Sequence, residues 1–285
     1  ERESSFEIQI TVGDKFYAYG FSAVLSRRKV TGEWLYELYQ NGSAKCLFER
    51  EESKRPVLND GITLTNTEKN KFETYADDFE GNETSLFLTE MNRGKKYSTR
   101  SKLLFFRDVY DWIQNHISII TPDTPLIDLE YYYDDNSLKL INKLIKTFDT
   151  GISQVKIEEI TLDELSNAMP KPVFDKMMQH VKNRMEEQEE PSFRMTMRSK
   201  ETFFNIEVEG HSEPKVTTIR LHHNKSFYEF GFDEESDGTR RLFDLMDMLL
   251  NKREDVLYVV DELERSLHPK LTERFLQLFM QLHDE

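Results

Sequence analysis

Cysteine is almost missing from this sequence. One residue of the type, Cys46, in 285 excludes an internal disulfide framework and fits a reducing compartment. It sits in an alternating apolar stretch and reads as a small strand hydrophobe rather than a reactive thiol. Long hydrophobic runs are missing as well. Nothing approaches the roughly 18 consecutive apolar residues of a membrane-spanning helix, and no signal-peptide pattern opens the chain. No membrane role and a cytoplasmic location are therefore expected. Positive charge is in deficit, the formal net charge being −15, which argues against a broad nucleic-acid coat, because phosphate binding relies on clustered Lys and Arg. A local basic groove stays open, since net charge does not fix its distribution. His222 and His223 lack a further ligand at metal-binding spacing and are read as ordinary strand residues. The first residue is Glu1, not Met, so the native N-terminus is expected upstream.

What the chain does hold is a polar globular composition, 38% hydrophobic and 32% charged, with ample length for a core. Residues 6–49 alternate apolar and polar side chains and predict a β-meander, with Asn41-Gly42 as a two-residue hairpin turn at which both positions tolerate positive φ. Residues 50–100 have weak periodicity and predict loops with short helices. Leu104, Val109, Trp112, Ile113, Ile117 and Ile120 predict one helical stripe ended by Pro122 and Pro125. Tyr131-Tyr132-Tyr133 is a surface or interface candidate, although most such runs are partly buried aromatics. Helices are predicted over 138–148 and 172–190, with a Thr161–Glu164 capping box between them. Residues 154–160, 203–208, 216–222 and 227–232 predict strands, the last three of them antiparallel.

The chemistry gathers near the end. Val256-Leu257-Tyr258-Val259-Val260 reads as a short buried strand, apolar on both faces as a central parallel strand would be, with Asp261 and Glu262 at its carboxyl tip. Ligands of open α/β sheets sit beyond such tips. Twenty-five positions before Asp261, the turn Ser236-Asp237-Gly238-Thr239-Arg240-Arg241 leads into a helix. It places a glycine and two hydroxyls at a helix N-terminus, where free N–H groups and the helix dipole can hold an anion; an ordinary N-cap is the alternative. Ser266-Leu267-His268-Pro269 follows the acidic pair.

On these three segments the chain resembles an ABC-type ATPase head. More narrowly, it is similar to the bacterial AAA-family ATPases grouped with OLD proteins and with the ATPases of DNA-repair and chromosome-organising (SMC-related) complexes. Residues 236–241 correspond to the signature motif, 256–262 to Walker B and 266–269 to the D-loop. The resemblance implies an α/β fold with a mixed central sheet, an antiparallel β-subdomain and a helical insertion. Its parts would be a β-rich portion at 1–102, the insertion at 103–190 and the signature/Walker B portion at 191–285. It implies ATP and Mg²⁺ as cofactors, with Asp261 on the metal and Glu262 activating the attacking water. Ser236, Gly238, Thr239 and Arg240 or Arg241 would face the phosphate from an opposing protomer, and Ser266 and His268 would lie at that interface. The implied partners are a second copy of the chain and a nuclease or toxin effector, as in anti-phage defence; contact with nucleic acid is left open. No GxxxxGK[ST] phosphate loop occurs in the sequence, and Gly42-Ser43-Ala44-Lys45 is rejected as one because it lies in a hairpin. Walker A is expected upstream, and this chain alone is expected to hydrolyse ATP poorly. The alternatives are a catalytically weak ABC-like scaffold or sensor, or a DNA-repair-type head.

Overall fold

The computed structural model describes residues 2–122, 132, 135–187, 189, 191–198, 203–224, 226–251 and 255–283. They form two compact units, Glu1–Ile117 and Ser118–Glu285.

In the first unit the alternating stretch folds into five strands, β1 (Ser4–Val12), β2 (Lys15–Val24), β3 (Lys29–Leu38), β4 (Ala44–Glu51) and β5 (Val57–Leu58). They pair antiparallel in chain order. The hairpin at Asn41-Gly42 differs from expectation. Gly42 takes φ +80°, whereas Asn41 is not among the positive-φ residues. Gly42 N–H donates to the Tyr39 carbonyl and Tyr39 N–H to the Ser43 carbonyl, each at 2.9 Å. The loop is therefore Gln40-Asn41-Gly42, three residues with glycine at the left-handed position. After β5 come α1 (Asn66–Asp78), α2 (Phe87–Asn92) and α3 (Leu104–His116). The first of these is longer than the short helices expected and starts at a Thr65–Glu68 capping box. These helices cover the sheet through Phe48, Phe72, Phe87 and Phe106, whose rings meet mostly edge-on or tilted.

One buried carboxylate organises this core. Glu33 on β3 accepts from the Phe87 and Leu88 N–H groups at 2.6 and 2.9 Å and from the Tyr19 hydroxyl at 3.0 Å. It thus caps α2, whose own preceding residue, Leu86, has no capping side chain. Arg50 lies 3.7 Å away and donates to the Asn82 and Ser85 carbonyls. Burial pushes the Glu33 carboxyl up and the Arg50 guanidinium down, more than their mutual attraction restores.

The helix predicted over 103–120 ends at His116. Ile117–Ile120 is instead a strand, β6, because three isoleucines in four residues suit an extended chain better than a helix. Beyond it the second unit contains α4 (Asp135–Ile145), β7 (Ile152–Ile160), α5 (Leu162–Asn167), α6 (Lys171–Glu186) and β8 (Ser192–Arg198). There follow β9 (Phe203–Glu209), β10 (Lys215–His223), β11 (Glu229–Phe230), α7 (Asp237–Asp244), α8 (Met246–Leu250), β12 (Leu257–Val260) and α9 (Pro269–His283). The Thr161–Glu164 capping box opens α5 as predicted, and β8 has no counterpart among the predicted strands. An antiparallel sheet runs β11-β10-β9-β8, with β7 along the opposite edge of β10. The predicted strand at 227–232 shrinks to β11, leaving Phe227 and Tyr228 exposed on the turn before it. Tyr132 is fully buried against Phe203 and Phe243; Tyr131 and Tyr133 lie outside the described residues. Within the span 103–190, α3 packs in the first unit, and α4 to α6 belong to the second.

The Val256–Val260 strand also differs from expectation. Among the described residues β12 pairs only with β6. Tyr258 and Val260 pack on the core, whereas Leu257 and Val259 are 44% and 47% exposed. Burial alternates as in a strand covered on one face, not on both. No helix among the described residues is long and apolar enough to cross a membrane.

Candidate functional site

Backbone hydrogen bonding carries the β12 strand one residue past its end: Asp261 N–H donates to the Ile120 carbonyl at 2.9 Å. The chain then turns sharply. Glu262 adopts φ +48° and Ser266 φ +64°, a left-handed conformation that costs a residue with a side chain roughly 1 kcal/mol or more. Arg265 N–H donates to the Glu262 carbonyl and Leu267 N–H to the Glu264 carbonyl, closing two short turns at 3.0 and 2.9 Å. Buried Leu267 anchors the segment in the core. Asp261 and Glu262 are exposed, and the Glu262 carboxylate lies 3.6 Å from Arg265. Among the described residues no group of three His, Cys, Asp or Glu side chains could hold a metal. Asp261 offers one exposed carboxylate, a hard oxygen donor of the kind that divalent cations such as Mg²⁺ accept.

The helix after the acidic turns begins at Pro269, a residue suited to the first helical position because its missing N–H would lack a partner there anyway. His268 precedes it, and its Nδ1 accepts from Lys270 N–H at 3.3 Å.

The Ser236 turn is built by the same capping physics. The Ser236 hydroxyl accepts from Thr239 N–H at 3.1 Å and lies 2.9 Å from the Thr239 hydroxyl. This caps the first turn of α7, whose N-terminus carries the positive end of the helix dipole. Gly238 is needed for space rather than for conformation: a Cβ there would stand 2.6 Å from the Ser266 carbonyl oxygen. The residues named from sequence as signature and D-loop are therefore in backbone contact. Around that contact lies an open surface cavity, a depression of about 510 Å³ rather than an enclosed pocket, lined by Ser236, Asp237, Gly238, Thr239, Ser266 and His268, with Leu271 and Thr150 completing it.

The remaining predicted residues fall outside this cavity. Arg240 is paired with Asp237 at 2.6 Å beside it. Arg241 is buried and donates to the Thr121 carbonyl at 3.2 Å, so it holds α7 to the end of β6. Asp261 and Glu262 are not among the lining residues either; the cavity and the acidic tip are two separate features of one chain. Thr150 had no sequence signal. It follows a helix that sequence alone ends near Gly151, and only the fold brings it to the Ser236 turn.

Residues 3–285 match the family described as "AAA domain, putative AbiEii toxin, Type IV TA system". No curated protein and no solved structure matches the chain. The family match spans nearly the whole sequence, and the chain belongs to this family of AAA ATPase domains.

Proposed function

We propose that this AAA domain is an ABC-type head of the OLD-like and SMC-related group, which closes head to tail with a second copy over ATP. The observation that carries the proposal is the backbone contact between Gly238 and Ser266, which draws two hydroxyls, a helix N-terminus and His268 around one cavity. Such a wall offers N–H and O–H donors and a positive dipole, the chemistry that recognises a phosphate. Arg240 stands at its rim and could release Asp237 to add a charge. Separation of this wall from Asp261 and Glu262 fits a composite site in which each copy supplies one half. On its own half, Asp261 would hold Mg²⁺ through a hard carboxylate oxygen, and Glu262 would orient a water molecule and take its proton. Bound ATP with Mg²⁺ would supply the phosphoryl group that is passed to that water. Ser266 and His268 would join the two halves, so that closure and opening of the dimer follow the nucleotide state.

The biological output we assign is regulation of a nuclease or toxin effector by this nucleotide-dependent oligomer, in the bacterial cytoplasm and in defence against phage. Turnover by the full-length protein and its Glu262→Gln variant tests the enzymatic part. Loss of the base should lower turnover by about 10²–10⁴-fold, with ATP still bound and the dimer longer-lived by light scattering. Unchanged turnover would overturn the assignment, and failure of the wild type to bind ATP would favour a scaffold.

A further inference from the structure

Two walls of the candidate cavity come from segments far apart in sequence, the turn at Thr150 and the turn at Ser236. His223, at the end of β10, touches both. Its Nε2 lies 2.6 Å from a carboxylate oxygen of Glu235, and because a carboxylate only accepts, Nε2–H is the donor. Glu235 is the residue immediately before Ser236, and its side chain is only 6% exposed. On the other side of the ring, Nδ1 faces Gly151, where an added Cβ would stand 3.4 Å away. Gly151 directly follows Thr150. The next residue of β10's exit, Asn224, donates its N–H to the Gly151 carbonyl at 2.9 Å. Edge-on packing of the imidazole against Phe230, 5.1 Å between centroids, leaves it little freedom.

We propose that His223 and Glu235 are positioning residues, a latch that fixes the Thr150 wall and the Ser236 wall of the cavity relative to each other. The chemical reason is economy of constraint. Asp149 at φ +50° and Gly151 at φ +86° make the first turn a left-handed pair. The Ser236 cap is likewise a local device that fixes α7 internally. The flanks of both turns pack on one core, Phe148 and Ile152 beside the first and Phe232 and Leu242 beside the second, but apolar packing is non-directional and does not by itself fix the distance between the walls closely. A buried carboxylate bonded to an imidazole does so, because breaking the pair would leave Glu235 without its donor away from water. Thr150 thereby becomes a candidate ligand-contacting hydroxyl of the cavity. This assignment rests on the proposed phosphate-binding role of the wall; the latch itself does not.

Amide hydrogen exchange on the full chain separates the two. His223→Ala and Glu235→Ala should each speed exchange at Thr239 and at 150–152 by roughly tenfold or more, while amides of β9 stay protected. His223→Gln keeps a side-chain N–H donor near Nε2 and should restore most of the protection. Gly151→Ala approaches from the other side: it strains a left-handed turn and presses on Nδ1, and should loosen the same two segments. Unchanged exchange at Thr239 in both latch variants, or uniform loss across the second unit, would overturn the proposal whether or not the protein binds ATP. Thr150→Val then reports on the ligand role alone. Weaker binding of ATP with exchange unaltered supports a contact by the hydroxyl, and unchanged ATP binding in a wild type that does bind removes it.

Discussion

The Glu68 carboxylate accepts from the Thr65 N–H and hydroxyl through one oxygen, at 3.0 and 2.8 Å, and from the Ser101 hydroxyl and Lys102 N–H through the other, both at 2.8 Å. Bonds of this kind favour the ionised form, the Thr65 N–H most of all, and they hold the carboxyl down to about 2 from an ordinary 4.5. A depressed folded value means that the folded chain resists protonation, so this contribution is complete above pH 4.5 and fades as pH falls towards 2. Acid titration of stability should therefore be shallower in Glu68→Gln than in the wild type across that window. The two should converge at its acid end, as followed by urea unfolding monitored through α1. Parallel curves would refute the assignment. Half of this arrangement was legible. Thr65-Asn66-Thr67-Glu68 spells a capping box as plainly as Thr161–Glu164 does, although weak periodicity in residues 50–100 obscured it. Its link to Ser101 and Lys102, like the grip of Glu33 on Phe87 and Leu88, joins residues 33 to 55 positions apart, which no local pattern encodes.

At the scale of elements, the candidate site depends on α7 lying close against the turn before α9. Sequence spelled both partners, because a Ser-x-Gly-Thr turn before an amphipathic helix and a Ser-Leu-His-Pro helix start are local signals. Their contact within one chain was not legible, because nothing local in either turn encodes its neighbour 30 positions away. The relation of Thr150 to His223 was not legible at all, since it follows from pairing of β7 with β10, in which Ile152 stands opposite His223. The Val256–Val260 strand departs from expectation for a related reason: five apolar residues in a row say that a strand forms but not how many faces are covered. Gly238 offers the direct test of the contact. With backbone carbonyl oxygen 2.6 Å from the position of a new Cβ, Gly238→Ala must push α7 and the Ser266 turn apart. Overpacking of this kind costs about 1–3 kcal/mol. The expected result is a matching fall in the stability of the second unit, with faster amide exchange at Leu267. A variant as stable as the wild type would mean that the two turns are not held in contact.

At the scale of the molecule, the division into two units has an energetic basis, because each closes a hydrophobic core of its own. Every buried residue of the Phe48–Phe87–Phe106 cluster lies within Glu1–Ile117, and the clusters around Phe243 and Ile206 lie within Ser118–Glu285. Phe87 is the residue through which to separate them. It is fully buried, its ring lies 5.3 to 5.8 Å from those of Phe48, Phe72, Phe79 and Phe106, and its N–H is one of the Glu33 donors. Truncation to alanine keeps that N–H and removes only the ring, so the loss is packing. A buried Phe→Ala change costs about 3–5 kcal/mol, a large share of the stability of a unit of this size. If the cores are energetically separate, native-state exchange in Phe87→Ala should show β2 and β3 losing protection by about that amount while β9 and β10 keep theirs. Equal loss in both sets of strands would mean that the chain unfolds as one cooperative body, and that a nucleotide bound to the second unit would also stabilise the first.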